Sequence, residues 1–287
     1  MSLPADLSIR EATIEDLPAI ASLREAVGWS VHEWALRAVI GQPHATCVVT
    51  TDAGGAVVGV GSGIAYGPIG FVGNMIVAEA QRRRGVGSAI LDAVTGWLDG
   101  AGCRRLELNA TSEGRALYER HGFATIGTSA TARIPRGTPA GGDRELAVRP
   151  ASADDLDPLA AYDRPRFGGD RRPLLALLRD DPTAPLLLAE RNRVLAGYAC
   201  VRTDAPRIGP LVADAPEVAE TLLGHAFDLA PTAAELRINL PPGNRAGAAW
   251  LASIGIQVEP WDGRMARGPQ VARREDTIYG MAVGALG

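Results

Sequence analysis

The sequence predicts an α/β (α+β) protein of two tandem domains, each a mixed, mostly antiparallel sheet flanked by helices. Three observations point there: the length, a repeat of the opening motif, and short runs rich in Val and Ile alternating with stretches of helical period. At 287 residues the chain exceeds the usual size of one domain, and two units of roughly 140 residues can each bury a core. "SIREATIEDLPAIASLREA" near the start and "AVRPASADDLDPLAAYDRP" from Ala147 share one grammar. A short strand ends in Arg, and an acidic pair then opens a helix. Ile9-Arg10 matches Val148-Arg149, and Glu15-Asp16-Leu17 matches Asp154-Asp155-Leu156. The offset of about 139 residues is too long for a solenoid and fits two related domains. Between the copies, "RIPRGTPAGGDRE" is rich in Pro, Gly and charge, as linkers are. The expected division is a first domain over 1–135, a linker over 136–145 and a second domain over 146–287.

Each element has a local reason. "ATCVVTT", "AVVGVGSGIAY" and "GFVGNMIVA" are short, apolar and rich in Val and Ile, with Gly or Asp at their joints, and read as adjacent antiparallel strands. From Gly87 the pairs Ala89-Ile90, Ala93-Val94 and Trp97-Leu98 recur at helical spacing, and the helix stops at "DGAGC". "RRLELNA" is the next strand, and "EGRALYERHGF" is a short helix with Gly122 at a C-cap position. The second half repeats the order with strands in "PLLLAERNRVLAGYACVRT" and "RIGPLVAD", a helix through "EVAETLLGHAF", the strand "ELRINL" and a helix through "AGAAWLASIGI".

Composition narrows the function. Hydrophobic residues at 46% and charged residues at 22% describe a globular protein, and no apolar run approaches the roughly 20 residues of a membrane span. "MSLPADLSIREA" has neither a basic nor an apolar signal region, so a cytoplasmic location is expected. Cys47, Cys103 and Cys200 lack the pairing of a zinc site and read as buried free thiols; no metal is expected. A net charge of −4 argues against a general nucleic-acid binder.

The chemistry concentrates in "EAQRRRGVGSAIL", where Arg82, Arg83 and Arg84 run into Gly85, Val86, Gly87 and Ser88 between a strand and a helix. A helix N-terminus offers unpaired amides and partial positive charge, and glycines before it let an anion approach. Two readings stand side by side here: a phosphate cradle, or a turn whose arginines face water. A Rossmann fingerprint fails at Ile90 and Asn109, and no Gly-Lys-Ser/Thr is present for a Walker loop. Gly59 to Gly63 lie inside a strand segment and read as a bulge or close packing.

These residues resemble the GCN5-related N-acetyltransferases. Arg82, Gly85 and Gly87 match that family's Arg/Gln-x-x-Gly-x-Gly/Ala marker, and Leu117, Tyr118, Glu119, Gly122 and Phe123 match its second marker. "AERNRVLAGYACVRTDAPRIGPLVAD" and "GRMARG" look like the C-terminal domain of a tandem subgroup.

The resemblance implies acetyl-CoA as cosubstrate, with its pyrophosphate on the amides of Arg83 through Ser88 and its pantetheine arm along Met75, Ile76 and Val77. It implies Tyr118 as the acid that protonates the leaving thiolate, and a cofactor contact at Asn109. Thr111 replaces the Asn that many relatives carry, which puts one cofactor contact in question. Candidates around the acceptor are Trp29, Glu33, Trp34, Tyr66 and Asn74, each with a structural reading beside the functional one. His32 and Glu79 are weaker candidates for a base. The second copy has neither glycine of the cradle, carries Leu251 in the place of Tyr118, and is expected to be degenerate. Phe167, Asp170, Arg171, Arg202 and Arg264 are its candidates for a share of the pocket.

The expected activity is N-acetyltransfer to a small-molecule amine or an exposed peptide amine, in a monomer or homodimer without nucleic-acid or membrane partners. The alternative is an acyl-CoA-binding sensor without turnover.

Overall fold

The computed structural model describes residues 3–138 and 141–287, so Pro139 and Ala140 of the expected linker lie outside the described residues. The chain divides into two compact units whose membership is not contiguous. The first comprises residues up to Ala124 together with Met265–Gln270 and Gly284–Leu286; the second comprises Thr125–Arg264, Val271–Val283 and Gly287.

In the first unit the order is β1 (Leu7–Glu11), α1 (Leu17–Ala26), α2 (Glu33–Arg37), β2 (Ala45–Asp52), β3 (Val57–Tyr66), β4 (Ile69–Val77), α3 (Val86–Gly100), β5 (Arg105–Ala110) and α4 (Arg115–Arg120). Strands β1 to β4 pair antiparallel in sequence order, and β5 joins β4 in parallel across the α3 crossover. The sheet is therefore mixed and mostly antiparallel, as expected. Its core gathers Ile90, Leu91, Val94 and Leu98 of α3 against Val72, Leu106 and Leu108. The glycines of β3 permit this approach: a Cβ built on Gly59 would stand 2.9 Å from Ile90 Cδ1, and one on Gly63 would stand 3.0 Å from Val94 and Leu98. Close packing, not a phosphate site, explains Gly59 to Gly63.

The strand after α4, β6 (Ala124–Pro135), pairs with a strand of the second unit. The sequence reading assigns 124–135 to the first domain, whereas all but Ala124 pack in the second unit. The second unit continues with β7 (Ala147–Pro150), α5 (Leu156–Phe167), α6 (Arg172–Asp180), β8 (Leu186–Arg191), β9 (Val194–Arg202), β10 (Arg207–Ala213), α7 (Pro216–Leu229), β11 (Glu235–Leu240), α8 (Arg245–Ser253), β12 (Glu259–Arg267) and β13 (Ile278–Gly280). Strands β7 to β10 run antiparallel, β11 joins β10 in parallel, and β6 lies antiparallel to β11 with six matched positions from Glu235↔Pro135 to Leu240↔Ala130. The end of β12 goes to the first unit, where Met265 enters the core and Arg267 pairs with Asp99 at 2.8 Å. Each unit thus takes its last strand from the other half of the sequence.

The repeat read from the two opening motifs has a physical basis in each unit. Arg10 makes a two-pronged bond to Asp16 at 2.7 Å on both nitrogens, and the Asp16 carboxylate accepts the Thr13 amide at 2.8 Å. Arg149 grips Asp155 at 2.8 and 2.7 Å, and Asp155 accepts the Ser152 amide at 2.7 Å. Each aspartate therefore ties the end of a strand to the start of a helix by a capping box.

The Arg149 guanidinium holds the Asp155 carboxyl well below its ordinary value of 3.8. A depressed carboxyl stabilises the fold fully above that unfolded value and loses its contribution as pH falls toward the folded one. Asp155→Asn is accordingly expected to lower stability by about 1 kcal/mol near pH 7, with the difference shrinking as pH falls below about 4. Denaturant unfolding at several pH values checks this, and a pH-independent difference would rule the linkage out.

The three thiols are buried and free, and burial pushes Cys47 and Cys200 up to about 12 and Cys103 to about 11. Among the described residues, no helix is long and apolar enough to cross a membrane, and no cluster of His, Cys, Asp or Glu could hold a metal ion.

Candidate functional site

The first unit builds a site from one irregularity in β4. Register with β3 passes from Val60↔Ile76 to Ser62↔Gly73, so Asn74 and Met75 together face the single residue Gly61. This is a β-bulge, with Asn74 at a φ of 54°. Its side chain holds the distortion in place: Arg24 Nη1 donates to Asn74 Oδ1 at 2.6 Å, and Asn74 Nδ2 donates to Ser62 Oγ at 2.9 Å. Arg24 also donates through Nε and Nη2 to the Ser30 carbonyl at 3.0 and 2.7 Å, which ties the loop after α1 to the bulge. Burial lowers the pKa of this guanidinium.

A bulged strand bends, and the pairing of β4 with β5 ends before the bulge. The parallel ladder runs only from Ile69↔Arg105 to Phe71↔Glu107. Beyond Phe71 no β5 residue pairs with β4, and Met75, Ile76 and Val77 lie on this stretch that β5 leaves unpaired. Such an edge is a template for an extended ligand carrying amides.

The chain leaves β4 through a single 3₁₀ turn over Glu79–Gln81 and reaches the N-cap of α3 at Gly85, whose φ is 85°. Arg83, at 61°, is also left-handed. None of the backbone amides from Arg83 to Ser88 donates to another described residue, and Gly85 supplies no side-chain cap. A row of amides without protein acceptors at the start of a 15-residue helix is chemically suited to an anion. The arginine side chains are exposed. Arg82 Nε donates to the Val77 carbonyl at 3.1 Å, Arg84 pairs with Asp6 at 2.8 Å, and Arg83 is exposed. The two glycines do different work. Gly85 supplies the left-handed turn, whereas a Cβ on Gly87 would stand 3.3 Å from Leu117 Cδ2, so Gly87 lets α4 approach α3.

Tyr118 on α4 is buried and belongs to the same core cluster as Val86 and Ile90 at the start of α3. Its ring meets Phe123 edge-on with centroids 6.1 Å apart and lies against Gly114, where a Cβ would be 2.9 Å from Cε2. Thr111 Oγ1 accepts the Gly114 amide at 3.3 Å, so the replacement at this position caps the turn into α4.

The comparisons with known proteins agree with this geometry. The acetyltransferase (GNAT) family profile matches residues 9–123, and a second profile, for an acetyltransferase (GNAT) domain, matches residues 159–280. The chain belongs to the GCN5-related N-acetyltransferase family as a tandem protein. It is 28% identical over 160 residues to the uncharacterized N-acetyltransferase YitH of Bacillus subtilis, a match covering 55% of this chain and 56% of that protein. The chain thus spans about half the length of this curated relative. A crystal structure of a Pyrococcus horikoshii protein, assigned as an acetyltransferase, superposes with a TM-score of 0.82 at 24% identity, covering 100% of this chain and 98% of the other. A tandem GNAT protein from the clavulanic acid biosynthesis pathway gives a TM-score of 0.61 at 16% identity over 92% of this chain and 99% of its own. These two likenesses show the fold.

Within this GNAT unit the acceptor candidates fall into different places. Trp29 is half-buried beside Arg24, with the guanidinium carbon 5.5 Å from the ring centroid. Trp34 is buried in the core, and Glu33 is exposed and pairs with Arg37 one turn on. Both amide ends of Asn74 are taken by protein. Tyr66 is fully buried, and its hydroxyl donates to the Leu286 carbonyl at 2.8 Å. Asn109 Nδ2 donates to the Gly284 carbonyl at 2.9 Å. The amide expected on the cofactor and the hydroxyl expected on the acceptor thus both bond a segment of the chain itself. The structure also brings in Arg24, Ser62 and Gly73, which sequence reasoning passed over. An arginine within a surface helix, a serine within a strand and a glycine among many glycines carry no local signal.

In the second GNAT unit the corresponding parallel pair, β10 and β11, is recorded only at Arg207↔Arg237. The opening beyond it is filled from within: β13 pairs antiparallel with β10 through Leu211↔Gly280 and Val212↔Ile278, and the Met281 amide donates to the Asn239 carbonyl of β11 at 2.7 Å. Gly280 fits between the strands because a Cβ there would lie 3.1 Å from Leu211 and 3.2 Å from Ile238. The turn before α7 bears Asp214, paired with Arg166, where the first unit bears arginines. Arg171 is buried on Asp163 at 2.6 Å and over the Phe167 ring at 4.1 Å, and Arg202 bridges Asp181 and Asp204 at 2.6 Å each. Arg264 is buried against Met281 Sδ at 3.2 Å, and Asp170 is exposed and bonds the Arg172 amide.

Proposed function

We propose that the protein is an acetyl-CoA-dependent N-acetyltransferase whose acceptor is a primary amine of a small molecule or an exposed amino group. The observation that carries this reading is the run of unpartnered amides from Arg83 to Ser88, placed directly after the open edge of β4. Diphosphate negative charge suits those donors, and the partial positive charge of the α3 N-terminus adds to them. Arg82, Arg83 and Arg84 supply long-range attraction. The backbone of Met75, Ile76 and Val77 offers strand-like hydrogen bonds to the pantetheine amides.

The acceptor amine attacks the thioester carbonyl, a carbon–nitrogen bond forms and the carbon–sulfur bond breaks. Tyr118 delivers its hydroxyl proton to the departing thiolate and regains one from solvent, while the proton lost by the amine passes to water. The Arg24–Asn74–Ser62 chain acts by positioning, because it holds the bulge that turns β4 outward. The first half, expected over 1–135, is the working GNAT domain. The second half, over 146–287, is degenerate, its opening filled by β13 and its turn acidic.

One acetyl-CoA per chain is the expected stoichiometry by calorimetric titration, and two equivalent sites would contradict it. A panel of primary amines incubated with acetyl-CoA and scored for free thiol is expected to reveal turnover. Tight binding with no thiol release across the panel would favour an acyl-CoA sensor instead.

A further inference from the structure

The opening of the first unit is not empty along its whole length. Residues Gly284–Leu286, which belong to this unit, lie across its inner end. Three contacts fix them. The Gly284 carbonyl accepts from Asn109 on β5, the Leu286 carbonyl accepts from Tyr66 at the end of β3, and Ala285 lies against Gly73 on β4. The last approach is so close that a Cβ on Gly73 would stand 2.5 Å from the Ala285 carbonyl oxygen and 2.7 Å from its Cα. Leu286 is fully buried, whereas Gly284 and Ala285 are half-buried.

We infer that this segment is the stop that sets the length of the acyl group. The inference rests on the acetyl-CoA reading above and follows from direction and distance. A diphosphate on the turn after Val77 fixes one end of the cosubstrate, and an arm lying along β4 then runs from Val77 back toward Gly73. Four residues of strand measure about 13 Å, and past Gly73 the strands close at Phe71 and Glu107. The reactive end therefore arrives just short of Ala285, and a longer acyl chain must pass through the space that Ala285 and Leu286 fill. On this assignment the close contact of Gly73 with Ala285 marks where the acyl group must end. The assignment also accounts for Tyr66 and Asn109, which act here as anchors of the stop.

Isothermal titration of the full chain with acetyl-, butyryl- and octanoyl-CoA tests the inference. The wild type is expected to bind octanoyl-CoA at least roughly tenfold more weakly than acetyl-CoA, and removal of residues 284–287 is expected to close that gap. Ala285→Val, which keeps the segment in place, is expected to weaken butyryl-CoA further while acetyl-CoA changes by less than about threefold. Equal affinity of the wild type for all three overturns the stop alone. So does a gap that survives in a truncated chain shown to be folded, or, should that chain not fold, an Ala285→Val protein with unchanged selectivity. Failure of any acyl-CoA to bind the wild type overturns the stop and the proposed activity together.

Discussion

Gly85→Val is expected to lower the affinity for acetyl-CoA by roughly 100-fold or more, with the fold of the unit retained. Gly85 sits at a φ of 85° as the N-cap of α3, a conformation that a β-branched residue strongly resists. To relieve the strain the turn must rotate, and rotation takes the neighbouring amides out of convergence. Hydrogen bonds to a charged group are worth about 1.5–3 kcal/mol each, so loss of one or two accounts for the expected factor. Gly87→Val makes a discriminating comparison. A Cβ there would meet the tip of Leu117 at 3.3 Å and that of Val77 at 3.8 Å, side-chain ends that have other rotamers, and no positive φ is involved, so a smaller loss is expected. Replacement of Arg83 by Ala should reduce affinity severalfold and in a salt-dependent way, as an exposed charge does. Calorimetric titration at two ionic strengths measures all three. Equal affinity of Gly85→Val and wild type would show that the amides do not hold the diphosphate.

The contrast between Gly85 and Gly87 illustrates what was legible in the sequence. The turn, the helix after it and the strands before it follow from local rules, since left-handed glycine, helical period and β-branched runs are properties of neighbours in the chain. The repeated motif was readable for the same reason, and the structure shows that Arg10–Asp16 and Arg149–Asp155, each six residues apart, underlie it. The destination of β6 was not readable. The run "ATIGTSATARIP" carries little apolar patterning and says nothing about which sheet edge it joins. The roles of Tyr66 and Asn109 were hidden more deeply, since their partners lie 220 and 175 residues away. In both cases the sequence suggested a ligand, and the structure adds a bond to a distant piece of backbone. Filling of the second opening by β13 has the same character. Missing glycines and a missing tyrosine indicated degeneracy, but only the register of Gly280 against Leu211 shows what occupies the space.

Tyr118→Phe separates chemistry from binding and is expected to reduce kcat by about 10²–10⁴-fold while leaving acetyl-CoA affinity within about twofold. The ring is what the fold uses: it packs edge-on to Phe123 at 6.1 Å, lies against Gly114 and shares a core with Val86 and Ile90. Phenylalanine keeps all of that and removes only the hydroxyl. Tyr118→Ala would open a cavity beneath the start of α3 and confuse a catalytic loss with a displaced cradle, at a stability loss of about 3–5 kcal/mol by analogy with other aromatic deletions. The isosteric change is therefore the informative one. A proton donated in the transition state also leaves a kinetic mark. With the phenol removed, the rate should depend on the basicity of the leaving thiolate more steeply than in the wild type, since no positioned acid then stabilises it. Single-turnover thiol release with acetyl thioesters of graded thiol pKa measures both quantities. A Phe variant within about threefold of the wild-type rate, with an unchanged slope, would assign proton delivery to water and leave Tyr118 a packing role.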